Sequence, residues 1–382
     1  MNDSSIPSSG LYILSMSLHG FVRGHDIELG RDADTGGQIT YVVEQVRALS
    51  ARDDVRKVQL FTRQLFGPNV DASYAKEREP LSEHAEIVRI PCGPRRYLRK
   101  EKLWPYLDEF VDRTLKFLRA QGELPDVVHG HYADAGYVGS QIARLLGVPF
   151  VFTGHSLGRV KRQRLSENRS DLEALDRQFN FPQRIEAEEI SLDTASVVTT
   201  STQQEVDEQY ALYERYEPER KEVIPPGVDL SRFRPPREDD EKPPIAHSLD
   251  RFLQDPDKPL VVALARPDER KNLASLVRAY GDSEKLREKT NLAILAGTRD
   301  DIKSMGKAPR RVLTDLLLEV DRLDLWGKVA LPKTHRPEDV PELYRWTART
   351  RGVFVNPALT EPFGLTLIEA AASGVPIVAT HD

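Results

Sequence analysis

The sequence predicts an α/β protein with two domains, each built on a parallel sheet that helices cover. Short runs rich in β-branched residues alternate with longer amphipathic stretches, from LYILSMS at 11–17 to PIVAT at 376–380. At 382 residues the chain is too long for one ordinary hydrophobic core. Strands that flanking helices bury favour a doubly wound parallel sheet in both halves.

The first half contains seven segments that read as strands, at 11–17, 58–62, 87–91, 126–131, 149–154, 196–201 and 222–227. Helical character begins at Gln38, after a loop that contains glycine, and returns as an amphipathic stretch at 101–120. Pro105 is expected to interrupt this second helix, because proline lacks the amide N–H that a helix interior uses.

A boundary between domains is predicted near RPPREDDEKPP at 234–244, since this proline-rich and charged segment cannot supply a core. We therefore assign 1–230 to the first domain, 231–258 to a linker and 259–382 to the second domain. In the second domain, strands are predicted at 260–265, 291–297, 328–332, 352–357 and 376–380, with helices from 272, near 311–323, around 338–348 and after 364. Because the chain stops directly after a strand, we expect this domain to be incomplete.

Composition limits the classes of function. A net charge of −6 argues against non-specific binding of nucleic acid or membranes, although a local basic pocket for a small anion remains compatible with it. The single cysteine, Cys92, excludes an internal disulfide and indicates a reducing compartment. The N-terminus lacks the features of a signal peptide, and no apolar run is long enough to span a bilayer, so a cytoplasmic protein is predicted.

Charged residues follow two predicted strands of the second half. Arg266 and Lys271 come directly after the strand at 260–265, at the carboxyl end where open α/β sheets bind ligands. Fixed cations there would stabilise a diphosphate leaving group without a metal ion. Glu361 precedes a Pro-Phe-Gly turn, and Glu369 lies in the helix that follows. These acids would accept hydrogen bonds from sugar hydroxyls, or they are simply first-turn acids that cap a helix. In the second case the basic loop with Arg266 and Lys271 would be a solvated surface loop.

The turn before the last helix leaves the N–H groups of Gly364 and Leu365 at a helix N-terminus, where a phosphate can bind. In the first half, TGGQ at 35–38 places two glycines between strand and helix, which permits close backbone approach to an anion or is only a tight turn. His155 ends the strand at 149–154. A lone histidine there is more often structural, and paired carboxylates of glycosidase type are not evident.

Seven strings occur in an order typical of one family: LGRDADTGGQ (29–38), HGHYADAGYVG (129–139), FTGHSLGRVKRQRL (152–165), RIEAEE (184–189), VIPPGVD (223–229), ARPDERKN (265–272) and NPALTEPFGLTLIEAAASG (356–374). Together they resemble the glucosyltransferase portion of the sucrose-phosphate synthase family. The resemblance runs through nearly all of the chain from residue 11. It implies a GT-B fold, in which two Rossmann-like domains face a cleft, and a retaining transfer of glucose from UDP-glucose to fructose 6-phosphate without a metal or other cofactor.

The resemblance also implies roles for individual residues. The donor would be bound by Gly36, Gly37, Arg266, Lys271, Glu361, Phe363, Gly364, Leu365 and Glu369, and the acceptor by Gln38, Lys100, Tyr132, Lys161 and Arg184. Glu361 would hold the transferred glucose and Glu369 the ribose, while Arg266 and Lys271 would serve the diphosphate. His155 would bind the glucose in a front-face mechanism and support the developing positive charge, and the resemblance implies that His155, Glu361, Arg266 and Lys271 are the catalytic residues. A second arginine is expected at position 183, but this chain has Gln183, which weakens the acceptor assignment.

Three other functions stay open. A mannosylfructose-phosphate synthase would use another donor, and a sucrose synthase would take unphosphorylated fructose, against which the basic set of Lys100, Lys161 and Arg184 argues. A non-catalytic sugar-nucleotide or sugar-phosphate binding protein is the third, although the donor residues are present. The basic run around Lys161 also fits a nucleic-acid patch, but the overall acidity and the lack of interleaved aromatic residues oppose that interpretation.

Overall fold

Two separate sheets organise the chain. The computed structural model describes residues 10–28, 31, 34–167, 171–359, 361 and 364–380. The chain divides into two compact units, Met1–Pro225 and Pro226–Asp382, and each unit contains one sheet.

The first unit has an eight-stranded sheet in the order β3-β4-β2-β1-β5-β6-β7-β8. The strands are β1 Leu11–Met16, β2 Val55–Arg63, β3 Arg78–Pro80, β4 Ala85–Ile90, β5 Val127–His131, β6 Phe150–Thr153, β7 Val197–Thr200 and β8 Lys221–Val223. All neighbours pair in parallel except β3, which is antiparallel to β4. The predicted parallel sheet is therefore confirmed. Strand β3 was not predicted, because three residues that include a proline show no periodicity.

The described residues of this unit form the α-helices α1 Gly37–Ser50, α2 Leu107–Gln121, α3 Tyr132–Leu146, α4 Gly158–Ser166, α5 Leu172–Phe179 and α6 Phe181–Thr194. Helix α1 buries Val42, Val43 and Val46, three apolar residues at helical spacing. The helix predicted at 101–120 begins only at Leu107. Two short 3-10 turns precede it, and Pro105 lies in the second of them, so the predicted interruption separates 3-10 turns from the α-helix.

The second unit has a five-stranded parallel sheet in the order β11-β10-β9-β12-β13. Its strands are β9 Leu260–Leu264, β10 Asn291–Leu295, β11 Val329–Ala330, β12 Val353–Asn356 and β13 Ile377–Ala379. Its helices are α7 Pro244–Asp250, α8 Leu273–Asp282, α9 Glu284–Lys289, α10 Lys307–Arg322, α11 Asp339–Arg349 and α12 Leu365–Ala372.

The segment predicted as a linker, 231–258, contributes to the core of the second unit. Helix α7 lies within it, and Ile245 and Leu249 of that helix are buried in one hydrophobic cluster with Phe233. Arg234 and Asp240 form an ion pair at 2.8 Å that holds the intervening charged turn. Leu253 belongs to the same cluster, and the prolines and charges of this segment hid these four apolar residues that anchor it.

The order of strands places a switch point in each sheet. The chain proceeds from β1 to β2 on one side and reaches β5 on the other, and β9 is flanked in the same way by β10 and β12. Connections that leave neighbouring strands in opposite directions open a crevice at the carboxyl ends, where ligands bind in such folds. A ligand-binding site is therefore expected at the loops after β1, β5, β9 and β12.

Candidate functional site

A pocket in the first unit brings together four of the predicted acceptor residues, Lys100, Tyr132, Lys161 and Arg184. They come from four elements: the 3-10 turn Lys100–Lys102 and helices α3, α4 and α6. The full lining is Lys100, Glu101, Trp104, Tyr132, Asp134, Lys161, Phe179 and Arg184. Three cationic side chains therefore converge on one cavity from separate parts of the sequence.

Lys161 is the cation whose charge this pocket most disfavours. Burial, together with the neighbouring charges of Lys100 and Arg184, lowers the pKa of Lys161 to about 8. Its Nζ lies 4.5 Å from the centre of the Phe179 ring, a cation–π contact that partly offsets the lost hydration. An anion in the pocket would stabilise the ammonium further.

Lys100 is held by a buried carboxylate. Its Nζ contacts Oδ1 of Asp34, and its backbone N–H donates to Oδ2 of the same residue at 3.1 Å. The hydroxyl of Tyr97 also donates to Oδ2, at 2.9 Å. Burial disfavours the charge on Asp34, but the Lys100 ammonium outweighs it and holds the pKa of that carboxyl below its ordinary value. The side chain of Lys100 is thus fixed at the pocket before any ligand arrives.

Arg184 is 3% exposed and is held in position by Glu188. Its Nε donates to Oε1 of Glu188 at 3.0 Å, and its Nη2 donates to the carbonyl of Ser156. The guanidinium lies over the ring of Tyr132, with 4.6 Å between Cζ and the ring centre. Glu188 also accepts from the N–H of Gly158, the first residue of α4, at 3.0 Å. One carboxylate therefore positions both Arg184 and the helix that carries Lys161.

Gln183, where an arginine was expected, lies on the surface beside this arrangement. Its side-chain oxygen accepts a hydrogen bond from Nδ2 of Asn180 at 2.7 Å, and the residue is exposed. It is not part of the pocket lining.

His155 lies beyond the end of β6 and contacts a second histidine. Nε2 of His155 is 3.0 Å from Nδ1 of His131, the last residue of β5. Burial, with the nearby imidazoles of His129 and His19, lowers the pKa of His155 to about 3, so the ring is neutral at physiological pH. His155 and Tyr132 both have positive φ, 57° and 76°. Such strained conformations in residues other than glycine cluster at functional sites.

The predicted glycine loop forms the start of α1. Gly36 is the N-cap residue, with φ −130° and ψ −162°, and Gly37 is the first helical residue. A Cβ added to either glycine would meet nothing within 4 Å. Neither the backbone conformation of Gly36 nor the packing of the described residues therefore requires glycine there. Gln38 follows, and its buried Nε2 has no hydrogen-bond partner among the residues described.

In the second unit, Lys271 and Glu361 meet at the switch point of the sheet. Nζ of Lys271 donates to Oε2 of Glu361 at 2.6 Å, and Nδ2 of Asn356 donates to the same oxygen at 2.9 Å. The N–H of Leu359 bonds the carbonyl of Arg270 at 2.8 Å, so the loops after β9 and β12 are joined by backbone as well.

The other predicted donor residues lie near this edge or in α12. Arg266 follows β9 and is exposed. Gly364 is the N-cap of α12 with φ 61°, a left-handed conformation that favours glycine, and Leu365 begins the helix. Burial raises the pKa of Glu369, within α12, to about 7. Phe363 lies outside the described residues.

Sequence reasoning missed three residues that hold the site together: Asp34, Glu188 and His131. All three lie inside the strings on which the resemblance rests. The acidic residues of LGRDADTGGQ and RIEAEE, and the repeated histidine of HGH, were the available indications.

The described part of the chain contains no group of three or more His, Cys, Asp or Glu side chains placed to hold a metal ion. Within the same residues, no helix is long and apolar enough to cross a membrane. The metal-free chemistry expected from the sequence stays a prediction.

Comparison with known proteins identifies relatives over almost the whole chain. A probable sucrose-phosphate synthase of Oryza sativa subsp. indica is 48% identical over 433 residues, covering 97% of this chain and 40% of that protein. The sucrose-phosphate synthase of Zea mays is 47% identical, covering 97% of this chain and 41% of that protein. The chain thus spans about 40% of the length of these curated relatives.

Solved structures give the same fold. The sucrose-phosphate synthase from Thermosynechococcus elongatus matches with a TM-score of 0.69 and 27% identity, covering 97% of this chain and 81% of that one. The Anabaena protein HepE, in complex with UDP and glucose, matches with a TM-score of 0.59 and 16% identity, covering 97% and 80%, and supports the fold alone.

Two family models divide the chain between them. The model described as the first GT-B domain of sucrose synthase matches residues 4–229, and the model for glycosyl transferases group 1 matches residues 248–382. With the parallel sheet of each unit and these matches, the predicted GT-B fold class is confirmed. The chain belongs to the GT-B glycosyltransferases of the sucrose synthase type, and the relatives described above are named sucrose-phosphate synthases.

Proposed function

We propose that the chain transfers glucose from UDP-glucose to fructose 6-phosphate, with retention of the anomeric configuration, and releases sucrose 6-phosphate and UDP. Its relatives named sucrose-phosphate synthase support this reaction, as does the chemistry of the two sets of side chains described above.

The observation that carries the proposal is the pocket that Lys100, Lys161 and Arg184 line. Three cations that share one cavity repel each other, and burial disfavours the charge of Lys161. A phosphate dianion would offset both costs with charge-assisted hydrogen bonds, whereas unphosphorylated fructose would offset neither. This argument favours a sugar phosphate as the acceptor over the free sugar that a sucrose synthase takes.

The donor would occupy the second unit, with Lys271 and Arg266 toward the diphosphate and Glu361 toward the hydroxyls of glucose. Oε2 of Glu361 already accepts from Lys271 and Asn356, so its orientation is fixed before the sugar binds. Hydrogen-bond donors and cations that the protein already holds in place need no reorganisation when negative charge develops on the leaving group. The first-turn N–H groups of α12 would add to this stabilisation.

In the proposed reaction the bond between C1 of glucose and the β-phosphate oxygen breaks, and C1 bonds to the C2 hydroxyl oxygen of fructose 6-phosphate on the same face. The departing phosphate oxygen takes the hydroxyl proton, so no protein base is needed. Neutral His155 would bind the glucose, and Gly36 and Gly37 would let the backbone approach the sugar and diphosphate. Fixed cations replace a metal ion in this scheme.

Isothermal titration calorimetry with UDP-glucose, ADP-glucose and GDP-mannose, each with and without fructose 6-phosphate, tests the proposal. We expect UDP-glucose to be the preferred donor and fructose 6-phosphate to bind more tightly than fructose by about 1–3 kcal/mol or more, the value of a hydrogen bond to a charged group. A product assay for sucrose 6-phosphate completes the test. Equal affinity for the phosphorylated and free sugar would contradict it.

A further inference from the structure

Two histidines at the ends of adjacent strands share one hydrogen bond. His131 ends β5 and is 0% exposed, and its Nδ1 lies 3.0 Å from Nε2 of His155, which follows β6. One of these nitrogens must donate and the other accept. The hydrogen bond therefore sets the tautomers of both rings together.

The surroundings of His131 decide which nitrogen donates. Burial lowers the pKa of His131 well below its ordinary value, so its ring carries one proton. Its Nε2 is buried and has no hydrogen-bond partner among the described residues. Burying an unpartnered N–H costs more than burying an unpartnered acceptor, and such orphaned donors are rare. The proton therefore belongs on Nδ1, which donates to His155.

Neighbouring side chains hold this pair in place. The ring of His129 lies 4.0 Å from that of His131, centre to centre, and Nε2 of His129 is 2.7 Å from Oγ1 of Thr153. The ring of Tyr41 meets His155 edge-on at 5.2 Å. These contacts pack against both imidazoles and restrict their rotation.

We propose that His131 is a positioning residue, which holds His155 in the tautomer with its proton on Nδ1. Nε2 of His155 is then occupied as an acceptor, and Nδ1–H becomes the donor that the ring offers to a ligand. The part of this proposal that concerns transfer rests on the proposed function, in which His155 binds the glucose. The tautomer itself can be measured without any substrate.

The direct test is NMR of the whole chain labelled with ¹⁵N-histidine, in which two-bond ¹H–¹⁵N correlations identify each tautomer and His155→Asn assigns the signal. We expect the Nδ1–H form of His155 in the wild type. His131→Leu removes the donor and should shift His155 toward the Nε2–H form, whereas His131→Asn keeps an amide N–H near the same place and should retain Nδ1–H. An Nε2–H form in the wild type, or no change in His131→Leu, would overturn the proposal.

Kinetics test the consequence for transfer. In His131→Leu we expect kcat to fall about tenfold, the value of one misplaced hydrogen bond, with the KM for fructose 6-phosphate unchanged and most of kcat restored in His131→Asn. The exposed His247→Leu should match the wild type in both measurements. A shifted tautomer with unchanged kcat would refute the positioning role. A wild type that forms no sucrose 6-phosphate would instead refute the proposed function and leave the tautomer result standing.

Discussion

Nζ of Lys271 and Oε2 of Glu361 lie 2.6 Å apart, and this ion pair joins the loops that follow β9 and β12. The two side chains are 18% and 23% exposed, so neither is fully desolvated and a ligand can reach both. In the proposed site, Lys271 is shared between a carboxylate of the protein and the diphosphate of the donor. That sharing predicts that replacing Lys271 and replacing Glu361 have different effects on the affinity for UDP.

Replacing Lys271 by Met should weaken UDP binding by about 1–3 kcal/mol, because a charged hydrogen bond is lost and Glu361 is left unpaired. Glu361→Gln should leave UDP affinity unchanged or raise it, since the ammonium is released toward the diphosphate, while turnover of UDP-glucose falls. Titration calorimetry measures the affinities, and exposed Lys285→Met is the control. Equal losses of UDP affinity in both variants would contradict the different roles of Lys271 and Glu361. Loss of UDP binding in the presence of a chelator would contradict the proposal that fixed cations replace a metal ion.

Lys161→Met should weaken fructose 6-phosphate binding by about 1–3 kcal/mol and leave UDP binding unchanged. The reason is that Lys161 lines the pocket of the first unit, whereas the cations proposed for the diphosphate, Arg266 and Lys271, lie in the second. Arg164→Met is a matched control, since Arg164 lies on the same helix and is exposed. If both ligands were weakened equally by Lys161→Met, the acceptor assignment would fail.

Affinity for fructose 6-phosphate should also depend on pH through Lys161. The pKa of this lysine is lowered to about 8 in the free protein, and a bound phosphate dianion would raise it. Below pH 8 the ammonium is already present. Above pH 8 binding must take up a proton, so affinity should fall as pH rises, by up to about tenfold per unit. Lys161→Arg stays charged and should remove this dependence, and calorimetry in buffers of different ionisation enthalpy should detect the proton uptake in the wild type only.

The sequence predicted most of the strands, because β-branched runs and turns are local patterns. Lys271 and Glu361 were assigned to one site although 90 positions separate them, and they meet because β9 and β12 are neighbours. What no local pattern contains is the pairing of side chains. Glu188 looked like one of several acids on a helix, yet it holds both Arg184 and the start of α4.

The contact between the two histidines could not be predicted from a local pattern either. His131 and His155 lie 24 positions apart, and only the parallel pairing of β5 with β6 brings their rings together. The core residues of α7 were hidden for a different reason, since three apolar positions in a seven-residue helix between prolines and charges give no readable period.

Stability of the second unit should depend on Glu369. Burial raises the pKa of Glu369 from 4.5 to about 7, so the unfolded chain ionises this group at lower pH than the folded one. The contribution of Glu369 to the stability of the folded state is therefore most favourable below pH 4.5, and it is lost as the pH rises to 7. Glu369→Gln should be more stable than the wild type at pH 8 by about 1–2 kcal/mol and similar to it at pH 4.5. Urea unfolding across this range measures the effect, with exposed Glu288→Gln as the control; no gain at pH 8 would contradict the assignment.

Gly36→Ala separates a glycine kept for a ligand from one that the fold needs. Gly36 has extended φ and ψ, and an added Cβ meets nothing within 4 Å. Alanine reduces the entropy of the unfolded chain but is a poorer N-cap than glycine, and these opposing effects should keep stability within about 1 kcal/mol of the wild type. If the sugar and diphosphate approach this backbone, the methyl group displaces them and kcat/KM for UDP-glucose should fall about 10–100-fold.

Gly130→Ala is the contrasting variant, because its Cβ would lie 2.7 Å from the carbonyl oxygen of Ala135. That variant should lose stability in a denaturant titration, whereas Gly36→Ala should keep its stability and lose transfer. Full transfer activity in Gly36→Ala would mean that the open space beside the first turn of α1 is not filled by the donor, and the glycine loop would lose its proposed role.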